Sequence, residues 1–100
     1  MTFSLRQFLA KLLPSRQPVI QIQFYTRANC HLCQDAKALL ANLGQQYSLQ
    51  IDERDVDADP AWAEQYGDRV PVLVSGGRER FWGRIEPKLL ARFLRHESGA

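Results

Sequence analysis

Two cysteines stand three positions apart, as Cys30-His31-Leu32-Cys33, and the 100-residue chain contains no others. A thiolate is a nucleophile toward sulfur, and a second thiol one helical turn away can reach the first to close a disulfide. The pair therefore offers dithiol–disulfide exchange, with Cys30 attacking and Cys33 resolving. A cysteine at a helix start faces unpaired backbone N–H groups and the positive end of the helix dipole, which favour thiolate. A drop in pKa from about 8.5 to about 6.5 would raise the thiolate fraction at neutral pH from roughly 3% to roughly 75%. Arg27, and His31 when protonated, add positive charge near Cys30.

Other chemistries fit these residues less well. A closed zinc site needs four ligands, and the chain adds only His31 and the remote His96 to the cysteine pair. Covalent haem attachment needs histidine where Gln34 stands. Two ordinary buried thiols remain as the plain alternative. Asp52–Asp59 holds five carboxylates in a turn-rich stretch but lacks the glycine and distal glutamate of a calcium loop, so it reads as a solvated acidic loop.

The elements around the cysteines follow from periodicity. Val19–Tyr25 alternates as a strand, and 31–43 repeats as a helix with Leu32, Ala36, Leu39, Leu40 and Leu43 inward and Gly44 as a left-handed cap. Tyr47, Leu49 and Ile51 mark a second strand, making a parallel βαβ unit with the cysteines at its first strand–helix junction. Asp59-Pro60 opens a short helix to Gly67. Val70–Ser75 and Arg78–Trp82 form a hairpin around Gly76-Gly77. Glu86-Pro87 begins a last helix with Leu89, Leu90, Phe93 and Leu94 inward. The order is βαβαββα, an α/β fold with a mixed four-stranded sheet.

Residues 1–17 read as an extra N-terminal amphipathic helix and linker, with Leu5, Phe8, Leu9, Leu12 and Leu13 ended by Pro14, ahead of a domain at 18–97. Packing on the domain is the expectation, with a membrane surface or partner as the alternative; the acid-free start also has the look of a transit peptide. Apolar runs are too short for a membrane span. Net charge is +2 and the basic residues are dispersed, which argues against a nucleic-acid footprint. A cytoplasmic monomer is expected.

Val70-Pro71 is the second notable pair. A proline opening a sheet strand removes a ladder donor. A cis bond is expected, leaving Val70 main-chain groups for an extended thiol substrate beside Cys30; a trans edge proline is the alternative.

Taken together, Tyr25-Thr26-Arg27-Ala28-Asn29-Cys30-His31-Leu32-Cys33, with Ala36-Lys37 following, and Tyr66-Gly67-Asp68-Arg69-Val70-Pro71-Val72-Leu73 resemble the glutaredoxin branch of the thioredoxin superfamily, specifically its small glutaredoxin-like family. The resemblance covers about residues 19–97 and implies a thioredoxin-like fold and disulfide oxidoreductase activity. By this likeness glutathione would be held by Arg27, by His31 beside the cysteines, by Val70-Pro71, and by the turn from Gly83 to Glu86. His31 and Leu32 replace the proline and tyrosine usual between the cysteines, and Trp82 stands at the first glycine of that turn. Glu86 has a second reading as a helix cap. Trp62, Tyr66 and Trp82 are expected either as packing or as a groove lining.

The resemblance implies protein or low-molecular-weight disulfides as partners, glutathione as the candidate reductant, and no required cofactor or metal. Its alternatives are an iron–sulfur or glutathione-binding carrier and a redox-inert binding module.

Overall fold

The computed structural model describes residues 18–99, and the helix expected within 1–17 lies outside them. Strand β1 (Ile20–Thr26) leads to helix α1 (His31–Leu43) and strand β2 (Leu49–Asp55). A 3₁₀ turn (Val56–Ala58), helix α2 (Pro60–Tyr66) and a second 3₁₀ turn (Gly67–Arg69) follow. Strands β3 (Val72–Ser75) and β4 (Arg78–Trp82) and helix α3 (Pro87–Glu97) complete the order.

The sheet runs β2-β1-β3-β4, with β1 parallel to β2 and antiparallel to β3, and β4 antiparallel to β3. β1 and β3 are central; β3 is buried on both faces, and β1 on one face and at Tyr25 of the other. Ile20, Ile22, Phe24 and Leu73 meet Ala36 and Leu40 of α1 and Leu90 and Leu94 of α3. On the opposite face Tyr25, Val72 and Val74 meet Val56 and Tyr66, with Trp62 and Val70 at the edge. Period-two side chains thus feed two cores, and the sheet lies between α1/α3 and α2.

Several expectations change in detail. β2 continues four residues beyond Ile51, pairing Thr26 with Asp55, so half of the supposed acidic loop is an edge strand. Its side chains are mostly exposed, which removes the apolar alternation that marks a half-buried strand. Lys37–Glu53 (3.3 Å) and Arg54–Asp52 (2.7 Å) ion pairs line this edge. Gly44 is right-handed (φ −62°), not left-handed; it is the space that matters, since a Cβ there would lie 3.0 Å from the Leu40 carbonyl oxygen. The left-handed backbone falls instead at Gly76 and Gly77 (φ 63° and 75°), which close the hairpin.

In α1 the deepest residues are Cys33, Ala36 and Leu40, while Leu32, Leu39 and Leu43 are half-buried. Leu89 is 49% exposed because Leu90 and Leu94 take the core face of α3. No described helix is long and apolar enough to cross a membrane.

Candidate functional site around Cys30 and Cys33

β1 ends at Thr26, and a loop with Asn29 in the left-handed region (φ 58°) turns the chain into α1. Asparagine tolerates that conformation better than most residues. Cys30 is the N-cap of α1, extended at φ −108° and ψ 111°, and its Sγ accepts the Cys33 N–H at 3.2 Å. Cys30 and Cys33 are joined as a disulfide with Cα atoms 5.2 Å apart. Cys33 is 3% exposed, whereas Cys30 is partly exposed. The buried stripe Cys33, Ala36, Leu40 is readable from spacing, and it distinguishes the two sulfurs. His31 is exposed at the first helical position.

The antiparallel β1–β3 pair brings the start of β3 to the same sheet end as the close of β1, since Tyr25 faces Val72. The Val70–Pro71 peptide bond, one residue before Val72, is cis. Pro71 is buried and Val70 half-buried, and the β3 ladder begins only at Val72. Gly83, at φ 71°, donates its N–H to the carbonyls of Pro71 (2.9 Å) and Arg69 (3.2 Å), so the end of β4 is tied to the same turn.

Arg27 is occupied by internal contacts. Its Nε and Nη2 donate to the two carboxylate oxygens of Asp57 at 3.1 Å each, and Nη1 donates to the Gly67 carbonyl at 3.1 Å. The Asp57 carboxylate raises the Arg27 pKa further above its ordinary value. A Cβ on Gly67 would stand 3.1 Å from Nη2. Arg27 therefore joins the loop that carries Cys30 to the 3₁₀ turn that leads to Pro71. An ion pair this exposed adds little to stability, so its effect is positional. Arg27→Gln is expected to speed amide exchange severalfold at Cys33 and Gln34, whose N–H groups are bonded to Cys30 at the end of that loop. Hydrogen-exchange mass spectrometry reads this, and unchanged rates would remove the clamp's importance.

Glu86 lies elsewhere. It is exposed at the N-cap of α3, where its side chain makes no capping hydrogen bond and only its carbonyl accepts, from Leu89 and Leu90. The capping reading is thus corrected: the main chain, not the carboxylate, serves the helix. Glu86 borders a groove of about 430 Å³ with Leu32, Asp35, Leu39, Arg84 and Ile85, on the α1/α3 side of the sheet. Arg27 reaches toward α2, so the two residues are not brought to one point.

Sequence reasoning missed Asp57 and the pair Arg69–Glu79. Arg69 forks onto Glu79, donates to the Gln65 carbonyl at 3.0 Å, and lies over Tyr66 (5.9 Å) and Trp82 (6.0 Å). Its hydrogen bond holds the Glu79 carboxyl below the usual carboxylate range. Tyr66 is buried against Tyr25, with ring centroids 4.1 Å apart, and burial pushes its hydroxyl pKa up. Trp62 is half-buried in edge contact with Tyr25. Trp82 is 60% exposed, contrary to the packing expectation.

A mixed sheet of this order, with a Cys-x-x-Cys disulfide across the start of the helix after its first strand, defines a redox-type protein of the thioredoxin superfamily. The chain belongs to the glutaredoxin-like family: residues 21–95 match the Glutaredoxin-like domain (DUF836). A curated relative is the uncharacterized protein Rv0508 of Mycobacterium tuberculosis, 31% identical and aligned over 80% of this chain and 89% of its own. Among solved structures, a structural-genomics target from X. campestris is 32% identical over 75% of this chain and 96% of its own, with a TM-score of 0.64. Mitochondrial thioredoxin 3 from Saccharomyces cerevisiae, in its oxidized form, shares the fold at a TM-score of 0.57 and 21% identity, covering 92% and 89% of the two chains.

Proposed function

We propose that the protein is a thiol–disulfide oxidoreductase in which Cys30 attacks and Cys33 resolves. The observation that carries this reading is the asymmetry of the pair. Cys30 is reachable at the helix N-cap, while Cys33 is buried one turn on and offers its N–H to the Cys30 sulfur. In the reduced protein that N–H and the helix dipole favour a Cys30 thiolate.

The Cys30 thiolate attacks one sulfur of a substrate disulfide, forming a mixed disulfide and expelling one substrate thiolate, which takes a proton from solvent. Cys33 gives up its proton and attacks Cys30 Sγ, releasing the second substrate thiol and closing Cys30–Cys33. Two electrons and two protons have passed to the substrate. Two equivalents of a thiol such as glutathione then restore the dithiol and leave as their own disulfide. The cycle calls for no bound cofactor, and a reducing compartment such as the cytoplasm would keep the pair reduced between turnovers.

Substrate alignment falls to Val70 and Pro71, whose main chain precedes the β3 ladder at the same sheet end. Arg27 would have to leave Asp57 to bind a glutathione carboxylate, and the groove by Glu86 lies on the other side of the motif. Both facts favour polypeptide disulfides over glutathione as substrate, with glutathione retained as reductant. The test is steady-state reduction of 2-hydroxyethyl disulfide and of a disulfide-linked peptide dimer with dithiothreitol as electron source. Catalysed turnover of at least one above the buffer rate is expected, and its absence for both contradicts the reading.

A further inference from the structure

We infer that Trp82 is a specificity-determining residue that contacts the polypeptide of a disulfide substrate, a few residues from the half-cystine that meets Cys30. The inference rests on the oxidoreductase reading and names its substrate class: a disulfide in an extended segment with an aromatic or large aliphatic side chain nearby.

Trp82 closes β4 directly across from Val72, which itself faces Tyr25 in β1. Adjacent strands lie about 4.8 Å apart, so Trp82 stands about 10 Å from the end of β1 that leads to Cys30. That is the span of about three residues of extended chain. Trp82 thus shares the sheet end from which the cysteine loop departs, at a separation that an extended peptide spans more readily than a small disulfide.

The main chain beside the indole is also held in place. Gly83, the next residue, is anchored by its N–H to the Pro71 and Arg69 carbonyls, and the Arg69 guanidinium lies 6.0 Å from the Trp82 ring centroid. Arg69 is itself fixed by Glu79 and by the Gln65 carbonyl. An anchored main chain leaves only the indole's own rotamers to order on contact, and aromatic side chains are enriched among the residues that dominate interface energetics. Because Glu79 matches the charge of Arg69, the surface offered is aromatic rather than cationic, and an apolar side chain fits it better than a carboxylate. The 60% exposure of so large a residue, at the sheet end that carries the cysteines, is explained by this use.

The experiment compares kcat/KM for 2-hydroxyethyl disulfide with that for a disulfide-linked dimer of a heptapeptide having a central cysteine. The peptide is made with either Phe or Gly three residues from the cysteine on both sides, and dithiothreitol is the reductant. The full chain is assayed as wild type, Trp82→Ala and Trp82→Phe. For the Phe peptide, the peptide-to-small-disulfide ratio is expected to fall about tenfold or more in Trp82→Ala, the equivalent of 1.4 kcal/mol. Trp82→Phe should recover most of it, and the wild type should prefer the Phe over the Gly peptide by a similar factor. The peptide comparison needs no variant to fold. If wild type reduces the small disulfide but shows neither preference nor any change of ratio, the role of Trp82 is overturned alone. If wild type reduces neither probe, the oxidoreductase reading falls and this inference falls with it.

Discussion

Cys30→Ser is expected to lower disulfide reduction by at least about a thousandfold, because the thiol that remains, Cys33, is buried out of reach of a substrate disulfide. Cys33→Ser is expected to behave differently. Its mixed disulfide on Cys30 can form but has no internal thiol to displace it, so an adduct should accumulate on Cys30 with a simple disulfide and be released only by external thiol. Rapid acid quench followed by mass mapping separates the two variants. Equal residual activity in both, or accumulation of adduct on Cys33 in Cys30→Ser at the wild-type rate, would contradict the assignment. The 3% exposure of Cys33 is what makes the roles unequal.

The second large effect concerns the frame that holds the pair. Phe24 is 1% exposed between the sheet and the α1/α3 layer, two residues before β1 gives way to the cysteine loop. Phe24→Ala is expected to cost about 3–5 kcal/mol through lost transfer energy and the cavity left behind. That is a large part of the 5–15 kcal/mol that an ordinary domain holds. At about 4–8 °C per kcal/mol for a domain of this size, the melting temperature should drop by at least about 12 °C in calorimetry. A drop of only a few degrees would mean that the site collapses to fill the space, or that this face is not the main core.

How much of this was legible in the sequence depends on whether the signal was local. The helix at 31–43, the Gly76-Gly77 hairpin and the βαβ unit are written in short-range periodicity and turn chemistry, and the structure reproduces them. The position of Cys30 at the helix start is equally local. β2 is not legible beyond Ile51 because an edge strand exposed on both faces carries no alternation there. Gly44 misled because its lack of a side chain serves clearance from the Leu40 carbonyl, which only packing reveals. The Arg27–Asp57 contact joins residues thirty positions apart across two layers, so the charge of Arg27 read as free when it is matched. Trp82 stays open in the sequence between packing and a groove lining, since composition cannot say that β4 ends at the sheet edge with its last side chain toward solvent.

Equilibration of the reduced protein in graded glutathione buffers, followed by alkylation and mass mapping of each cysteine, tests the central claim most directly. A cooperative two-electron conversion to a Cys30–Cys33 disulfide is predicted, following a slope of about 30 mV per tenfold change, with glutathione found on Cys30 only when Cys33 is serine. If the two cysteines instead oxidise independently, or neither reacts at any ratio, the dithiol mechanism is contradicted.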